Sequence, residues 1–146
     1  MDSEAKLCAK LMSESEPWIT LKREYKDSLG LFNNPSKECY IAYYGKQFAG
    51  FILLDMKGAL AGYIQSIAVI PGLRNQGIGK KLLKFTEKRI FKELPNVFVC
   101  VSSFNPEAKK MYLKQGYEII GELKDFIIKG HSEILLRKQI CPISDF

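Results

Sequence analysis

Residues 62–92 constrain the fold more than any other stretch of this chain. A largely apolar strand, Tyr63-Ile64-Gln65-Ser66-Ile67-Ala68-Val69-Ile70, runs into a turn at Pro71-Gly72-Leu73. Arg74-Asn75-Gln76-Gly77-Ile78-Gly79-Lys80 follows and opens a long helix. Ile78, Leu82, Thr86, Ile90 and Leu94 recur every four residues, with Leu83 and Phe91 beside them, which makes one stripe of an amphipathic helix. Lys80, Lys81, Lys84, Lys88 and Lys92 take the opposite face. A strand that ends in a glycine-bearing loop and opens a helix is anion-binding geometry. The first amides of a helix lack internal acceptors, and the macrodipole adds partial positive charge there. Gly77 and Gly79 carry no Cβ, so a phosphate can approach the backbone closely. With Arg74, Lys80 and Lys81 nearby, the loop reads as a cradle for a phosphorylated cofactor.

The rest of the chain supplies a frame around that unit. A helix is expected over residues 2–13, and a second over about 18–30, with Trp18, Leu21, Tyr25 and Leu29 spaced three to four apart and Gly30 as its stop. Two strands at 38–44 and 47–55 form a meander with the strand at 62–70. Apolar side chains on both faces of that third strand predict a central position covered twice. The basic helix returns the chain to a parallel neighbour at 97–101 by a right-handed crossover. Asn105-Pro106-Glu107 is a helix start, with an N-cap, a proline in the first turn and an acid. That helix stops at Gly116, a strand follows at 117–121, and a last strand is expected over 126–136, with a kink or turn near Gly130. No repeat, linker or low-complexity run divides the 146 residues, so one domain, 1–146, is expected.

Composition excludes several classes. No apolar run approaches the roughly 20 residues that span a bilayer, so no membrane partner is expected. The first residues lack the basic start and apolar core of a signal peptide, which favours a cytoplasmic location. Cys8, Cys39, Cys100 and Cys141 are scattered and His131 is the one histidine, so no metal site is expected. The net charge of +6 suits nucleic acid, an anionic surface or a phosphorylated ligand. Phe85 and Phe91 do not interleave with the lysines as a base-stacking platform would, which argues against nucleic acid.

The glycine loop fits neither of two common phosphate-binding patterns. Gly72 and Gly77 have P-loop separation, but Ile78 stands where lysine is required. The dinucleotide fingerprint fails at Leu82. Arg74-x-x-Gly77-x-Gly79 after a strand resembles the pyrophosphate loop of the GNAT superfamily, the acyl-CoA-dependent N-acetyltransferases. A plain glycine turn before a surface helix is the other reading of those six residues. A second pattern agrees with the first: Asn105, Ala108 and Tyr112 share one helix face, and Gly116-Tyr117 begins a strand after them. This Asn-x-x-Ala-x-x-x-Tyr run is also similar to the GNAT pattern, and the resemblance covers residues 38–137.

The resemblance implies a single-domain α/β acyl-CoA N-acyltransferase fold: a mixed central sheet flanked by helices, with its parallel central strands splayed apart. It implies acetyl-CoA as cofactor. The pantetheine arm would pair with Ile67, Ala68 and Val69, and the pyrophosphate would sit on the loop of Arg74, Asn75, Gln76, Gly77, Ile78, Gly79 and Lys80. Asn105, Lys109 and Tyr112 would meet the coenzyme further along. It further implies acetyl transfer to a primary amine of a small molecule or peptide in a ternary complex. Backbone amides near Ala68 and Val69 would stabilise the oxyanion, and Tyr112 would act as general acid to the thiolate, since phenol and thiol pKa values differ by only about two units. No base stands out. Relatives often carry Glu or His at the positions of Tyr63 and Gln65; Gln65 can only orient a water. Glu133 and His131 are within possible reach late in the chain, and a water relay serves equally. Cys100 on the splayed strand reads as a packed thiol. Glu14, Glu16, Trp18, Tyr25 and Tyr63 are the candidate acceptor-binding residues, although Glu14 and Glu16 also read as solvated loop charges. A non-catalytic acyl-CoA-binding module is the alternative function. Family members usually open with a strand, whereas this chain opens in a helix, which would leave a sheet edge that could serve a homodimer.

Overall fold

The computed structural model describes residues 2–146. Helix α1 (Asp2–Ser13) and helix α2 (Tyr25–Phe32) precede strands β1 (Glu38–Tyr44), β2 (Gln47–Asp55) and β3 (Tyr63–Val69). Helix α3 (Ile78–Ile90), strand β4 (Asn96–Ser102), helix α4 (Pro106–Lys114), and strands β5 (Glu118–Lys124) and β6 (Ser132–Gln139) complete the order. The sheet runs β1-β2-β3-β4-β6-β5, with β1 and β5 at its edges. All neighbours are antiparallel except β3 and β4, which the α3 crossover makes parallel.

Each face of the sheet has its own core. On one, Leu82, Leu83 and Ile90 of α3 and Tyr112 of α4 pack with Ile52, Ile64, Val97 and Val99. This is the stripe read from the sequence, and its polar member, Thr86, is satisfied by donating to the Leu82 carbonyl at 2.8 Å. The five lysines of the opposite face are exposed. On the other face, Ala5, Cys8, Ala9 and Met12 of α1 and Phe32 of α2 meet Phe51, Leu53 and Ala68.

Two expectations are corrected. The second helix starts at Tyr25, not near residue 18. Residues 14–24 fold instead as successive turns, with Leu21 N donating to Pro17 O at 3.0 Å and Arg23 N to Trp18 O at 2.9 Å. Lys22, at φ 57°, interrupts any continuous helix there. The periodic spacing arose because Trp18 is buried against α1 and β2 from a turn. Gly30 then lies inside α2 rather than stopping it.

The last strand begins at Ser132, not at residue 126. Asp125 accepts from Gly130 N at 2.7 Å and closes a turn, with Gly130 at φ 88°. Strand β5 correspondingly runs on to Lys124, past a register irregularity between Ile119 and Gly121. Strand β3 is central and covered on both faces, as expected: Ile64, Ile67 and Val69 pack into one core and Ala68 and Ile70 into the other. Strand β2 is the more fully buried, with residues 49–54 all buried, whereas every second residue of β3, from Tyr63 to Val69, is only half-buried.

Candidate functional site

Strands β3 and β4 are held together over a very short run. Tyr63 pairs with Phe98 and Ile64 with Val99, and Phe98 N donates to Gly62 O at 3.0 Å. Gly62 sits at φ 90°, and a Cβ there would collide with the Asn96 carbonyl oxygen. Only glycine allows so close an approach at this conformation. Beyond Ile64 the strands separate. Ile70 N donates to Ala49 O at 2.8 Å, which sets the alternation of β3 against β2. Ala68, opposite Phe51, therefore bonds toward β2, and the peptide groups of Ile67 and Val69 point away from β2, into the gap. Peptide groups at such a divergence need partners from elsewhere. The Val69 carbonyl already accepts from Arg74 Nε at 2.9 Å.

Two cavities flank the gap, of about 750 Å³ and about 370 Å³. Glu16, Trp18, Ile67, Asn105, Ala108 and Met111 line both, so the two spaces adjoin. The larger one is also lined by Ala68, Val69, Arg74, Asn75, Ile78, Gly79 and Glu107. At its far end the αL turn of Gly77, at φ 82°, starts α3. Among the described residues, the amides of residues 75–80 donate to no backbone acceptor; the first bond of the helix is Lys81 N to Gly77 O at 3.1 Å. No heavy atom lies within 4 Å of where a Cβ would stand on Gly77 or Gly79. The loop thus presents bare donors at a helix start beside a large cavity.

The smaller cavity collects buried polar atoms without partners. Gln65 Oε1, Ser66 Oγ, Ser102 Oγ and the Tyr112 hydroxyl are all buried with no hydrogen bond among the described residues, and all four residues line it. Buried polar atoms are nearly always satisfied, so four orphans from β3, β4 and α4 around one cavity mark a place for a partner from outside the chain. Tyr112 is 1% exposed and packs edge-on to Tyr117 at 5.2 Å. Its burial comes from α4, which Asn105 starts by accepting from Ala108 N at 3.3 Å. Burial first, and the nearby Glu87 carboxylate second, push the Tyr112 phenol well above its ordinary pKa and keep it protonated. Glu87 is held beneath it by Tyr117 at 3.0 Å and by Lys138 at 3.1 Å.

Glu133 of β6 also reaches the smaller cavity and is 5% exposed. Burial pushes its carboxyl above the usual range, while the Ser102 hydroxyl opposite it in the sheet pulls the other way. Burial likewise pushes the Cys100 thiol up, which leaves it a poor nucleophile.

The expected residues divide as follows. Ile67, Ala68, Val69, Arg74, Asn75, Ile78, Gly79 and Asn105 line the larger cavity; Tyr63, Gln65 and Tyr112 line the smaller. Gln76 lines a separate groove against β1 and Phe85, and Gly77, Lys80 and Lys109 line neither cavity. Glu16 and Trp18 line both, with Glu16 held by the Thr20 amide at 3.1 Å and hydroxyl at 2.9 Å. Glu14 and Tyr25 line neither, and Tyr25 is exposed. His131 lines neither; it packs edge-on against Phe104 at 4.8 Å. Ser66, Ser102, Arg23, Phe126 and Ile127 line the smaller cavity without any sequence motif to announce them. No group of three or more metal-ligating side chains is found among the described residues, and no helix among them is long and apolar enough to cross a membrane.

Comparison with known proteins gives consistent matches. The model of the Acetyltransferase (GNAT) family matches residues 5–117. A solved GNAT-family protein from Desulfovibrio desulfuricans superposes with a TM-score of 0.82 at 20% identity, over 97% of this chain and 95% of that one. An acetyltransferase from Bacillus subtilis in complex with CoA gives 0.76 at 20% identity, over 92% of each chain. An aminoglycoside 6'-N-acetyltransferase complexed with coenzyme A gives 0.74 at 18% identity, over 94% and 91%.

Proposed function

The chain belongs to the GNAT acetyltransferase family and has its fold, and from that premise we propose that it moves an acetyl group from acetyl-CoA to a primary amine by direct transfer in a ternary complex. The observation that carries this reading is the gap between β3 and β4, with unpaired peptide groups on one side and the orphaned Tyr112 hydroxyl on the other. The coenzyme fits the residues present. Its diphosphate suits the unpartnered amides of residues 75–80. Its amide-bearing arm suits the free N–H and C=O groups of Ile67 and the N–H of Val69, in the larger cavity. Asn105 stands at the wall shared by both cavities.

Bound acetyl-CoA supplies a thioester, whose acyl carbon is the electrophile and whose sulfur is the leaving group. The chain supplies the remainder. The Val69 amide is a donor aimed into the gap, fixed by β2 pairing and so preorganised for negative charge on oxygen. Tyr112 holds a proton on its phenol, with no competing acceptor among the described residues, and can give it to sulfur. Gln65, also without a partner, can orient a water in the smaller cavity. Trp18 and Met111 stand at the junction of the cavities and exclude bulk water from it.

A thiol-release assay with acetyl-CoA over a panel of alkylamines, polyamines, aminoglycosides and peptides tests the reading. Release dependent on an amine is expected. Binding of acetyl-CoA by calorimetry with no release over the whole panel would favour a sensor or scaffold role instead.

A further inference from the structure

Glu133 carries a cost that the fold does not explain. Its carboxylate is buried in the smaller cavity and takes part in none of the ion pairs among the described residues. A buried carboxylate without a cation or a set of donors is expensive, and it is relieved either by taking up a proton or by receiving a cationic partner. Several neutral polar groups line the same cavity: Ser102 Oγ opposite it on β4, Gln65 Oε1 and Ser66 Oγ on β3 and the Tyr112 hydroxyl are without partners, and Tyr63 and Cys100 stand close enough to feel its charge. Trp18, Leu21, Phe126 and Ile127 give the wall an apolar and aromatic stretch, and Glu16, Arg23 and Asn105 line it as well.

We propose that Glu133 receives the acceptor as a primary ammonium on an alkyl arm, pairs with it, and takes its proton. The inference rests on the proposed acetyl transfer and names the acceptor's charge and the group that activates it. The alkyl arm lies between Trp18 and Phe126, and the ammonium reaches the carboxylate, where Ser102 and Gln65 offer oxygen acceptors to its other protons. Glu133 takes one proton and becomes the neutral acid. The freed lone pair forms the new C–N bond as the C–S bond breaks, and sulfur leaves with that electron pair and takes the phenolic proton of Tyr112. The second nitrogen proton restores Tyr112, and Glu133 returns its proton to solvent. The net change is one amide, one thiol and one released proton.

Glu133 sits on β6, far in sequence from both motifs. The other titratable groups of the cavity are Tyr63 of β3 and Tyr112 of α4, which burial holds protonated, Cys100 of β4, and Glu16 and Arg23 from the turns between α1 and α2. Glu133 is the buried carboxylate among them.

The test compares wild type with Glu133→Gln in three measurements: calorimetry with acetyl-CoA, calorimetry of n-butylamine, 1,4-diaminobutane and lysine ethyl ester into the CoA complex, and thiol release with the same amines. The expected result is unchanged acetyl-CoA affinity, at least tenfold weaker amine binding, and kcat/KM about 10²-fold lower at pH 7. The variant should recover about tenfold per pH unit as the amine itself loses its proton, up to an amine pKa of about 10.4. Wild-type turnover combined with equal amine binding or equal kcat/KM in the variant overturns the inference and leaves the acetyl transfer standing. Loss of acetyl-CoA affinity in the variant also overturns it, by making the role structural. Absence of thiol release from wild type overturns the acetyl transfer and this inference together. Should Glu133→Gln not fold, Glu133→Asp retracts the carboxylate by one methylene and must show the same loss of amine binding with acetyl-CoA affinity kept.

Discussion

Replacing Tyr112 by phenylalanine should move stability and catalysis in opposite directions. The ring is 1% exposed and tightly packed against Tyr117, so phenylalanine keeps its contacts. What is removed is a buried hydroxyl with no partner among the described residues. Leaving such a group unsatisfied costs about 1–3 kcal/mol, so its removal should return part of that. For a domain of this size, 1 kcal/mol corresponds to roughly 2–4 °C, and Tyr112→Phe should therefore melt roughly 2–10 °C higher without ligand. Turnover should fall by about 10²-fold, or about 2.7 kcal/mol of barrier, because the proton for sulfur is gone. Affinity for acetyl-CoA should change little, since the larger cavity is untouched. The assays are a thermal scan of the free protein, calorimetry with acetyl-CoA, and thiol release on one amine. A melting point lower by more than about 2 °C would mean that the hydroxyl is satisfied in solution. An unchanged rate would remove Tyr112 from the proton path.

Other substitutions separate packing from function. Gly62→Ala should destabilise by about 2–5 kcal/mol, because it adds a positive-φ penalty to a collision with the Asn96 carbonyl; urea unfolding gives the value, and a cost under about 1 kcal/mol would show that the strands can part there. Gly77→Ala meets no neighbour within 4 Å, so it should cost only the αL penalty of about 1–2 kcal/mol, yet weaken acetyl-CoA binding at least tenfold by turning the amides of the loop. Unchanged affinity would detach the loop from the diphosphate. Glu133 also sets a pH dependence. Burial raises its folded pKa above its unfolded value, so the folded chain holds the proton more tightly. Stability from this group is full below about pH 4.3 and is lost as pH rises through the folded value. Glu133→Gln should therefore melt higher than wild type at pH 7, with the difference closing by about pH 4; a lower melting point at pH 7 would show that the carboxylate is paired.

Local chemistry made most of the fold legible. The α3 stripe, the Asn105 cap and the two hairpin turns each act within a few residues, and a single chain reports such signals directly. Trp18 was misleading because a side chain buried from a turn leaves the same spacing as one buried from a helix. Residues 126–131 looked like strand because Phe126, Ile127 and Ile128 are apolar; Phe126 and Ile127 line the smaller cavity from a turn closed by Asp125. The glycine loop and Tyr112 could be placed by motif. Ser66 and Ser102 could not, since their meaning lies in being buried without partners, a property of packing that no spacing encodes; Glu133 could be named as a late-chain candidate beside His131, and only packing separates the two, burying Glu133 in the cavity and leaving His131 against Phe104.

Two register pairs and one glycine contact join the half-sheet β1-β2-β3 to the half-sheet β4-β6-β5. Below that seam the α3-side core packs against both halves, and a ligand in the gap would bridge them on the sheet itself. Coenzyme binding and folding stability are then linked: ligand at about 100 times its Kd would add about 2.7 kcal/mol to the stability of the folded chain. Amide hydrogen exchange at Ile67 and Val69 on β3, and at Cys100 and Ser102 on β4, would register that added grip first, before any change at the outer strands.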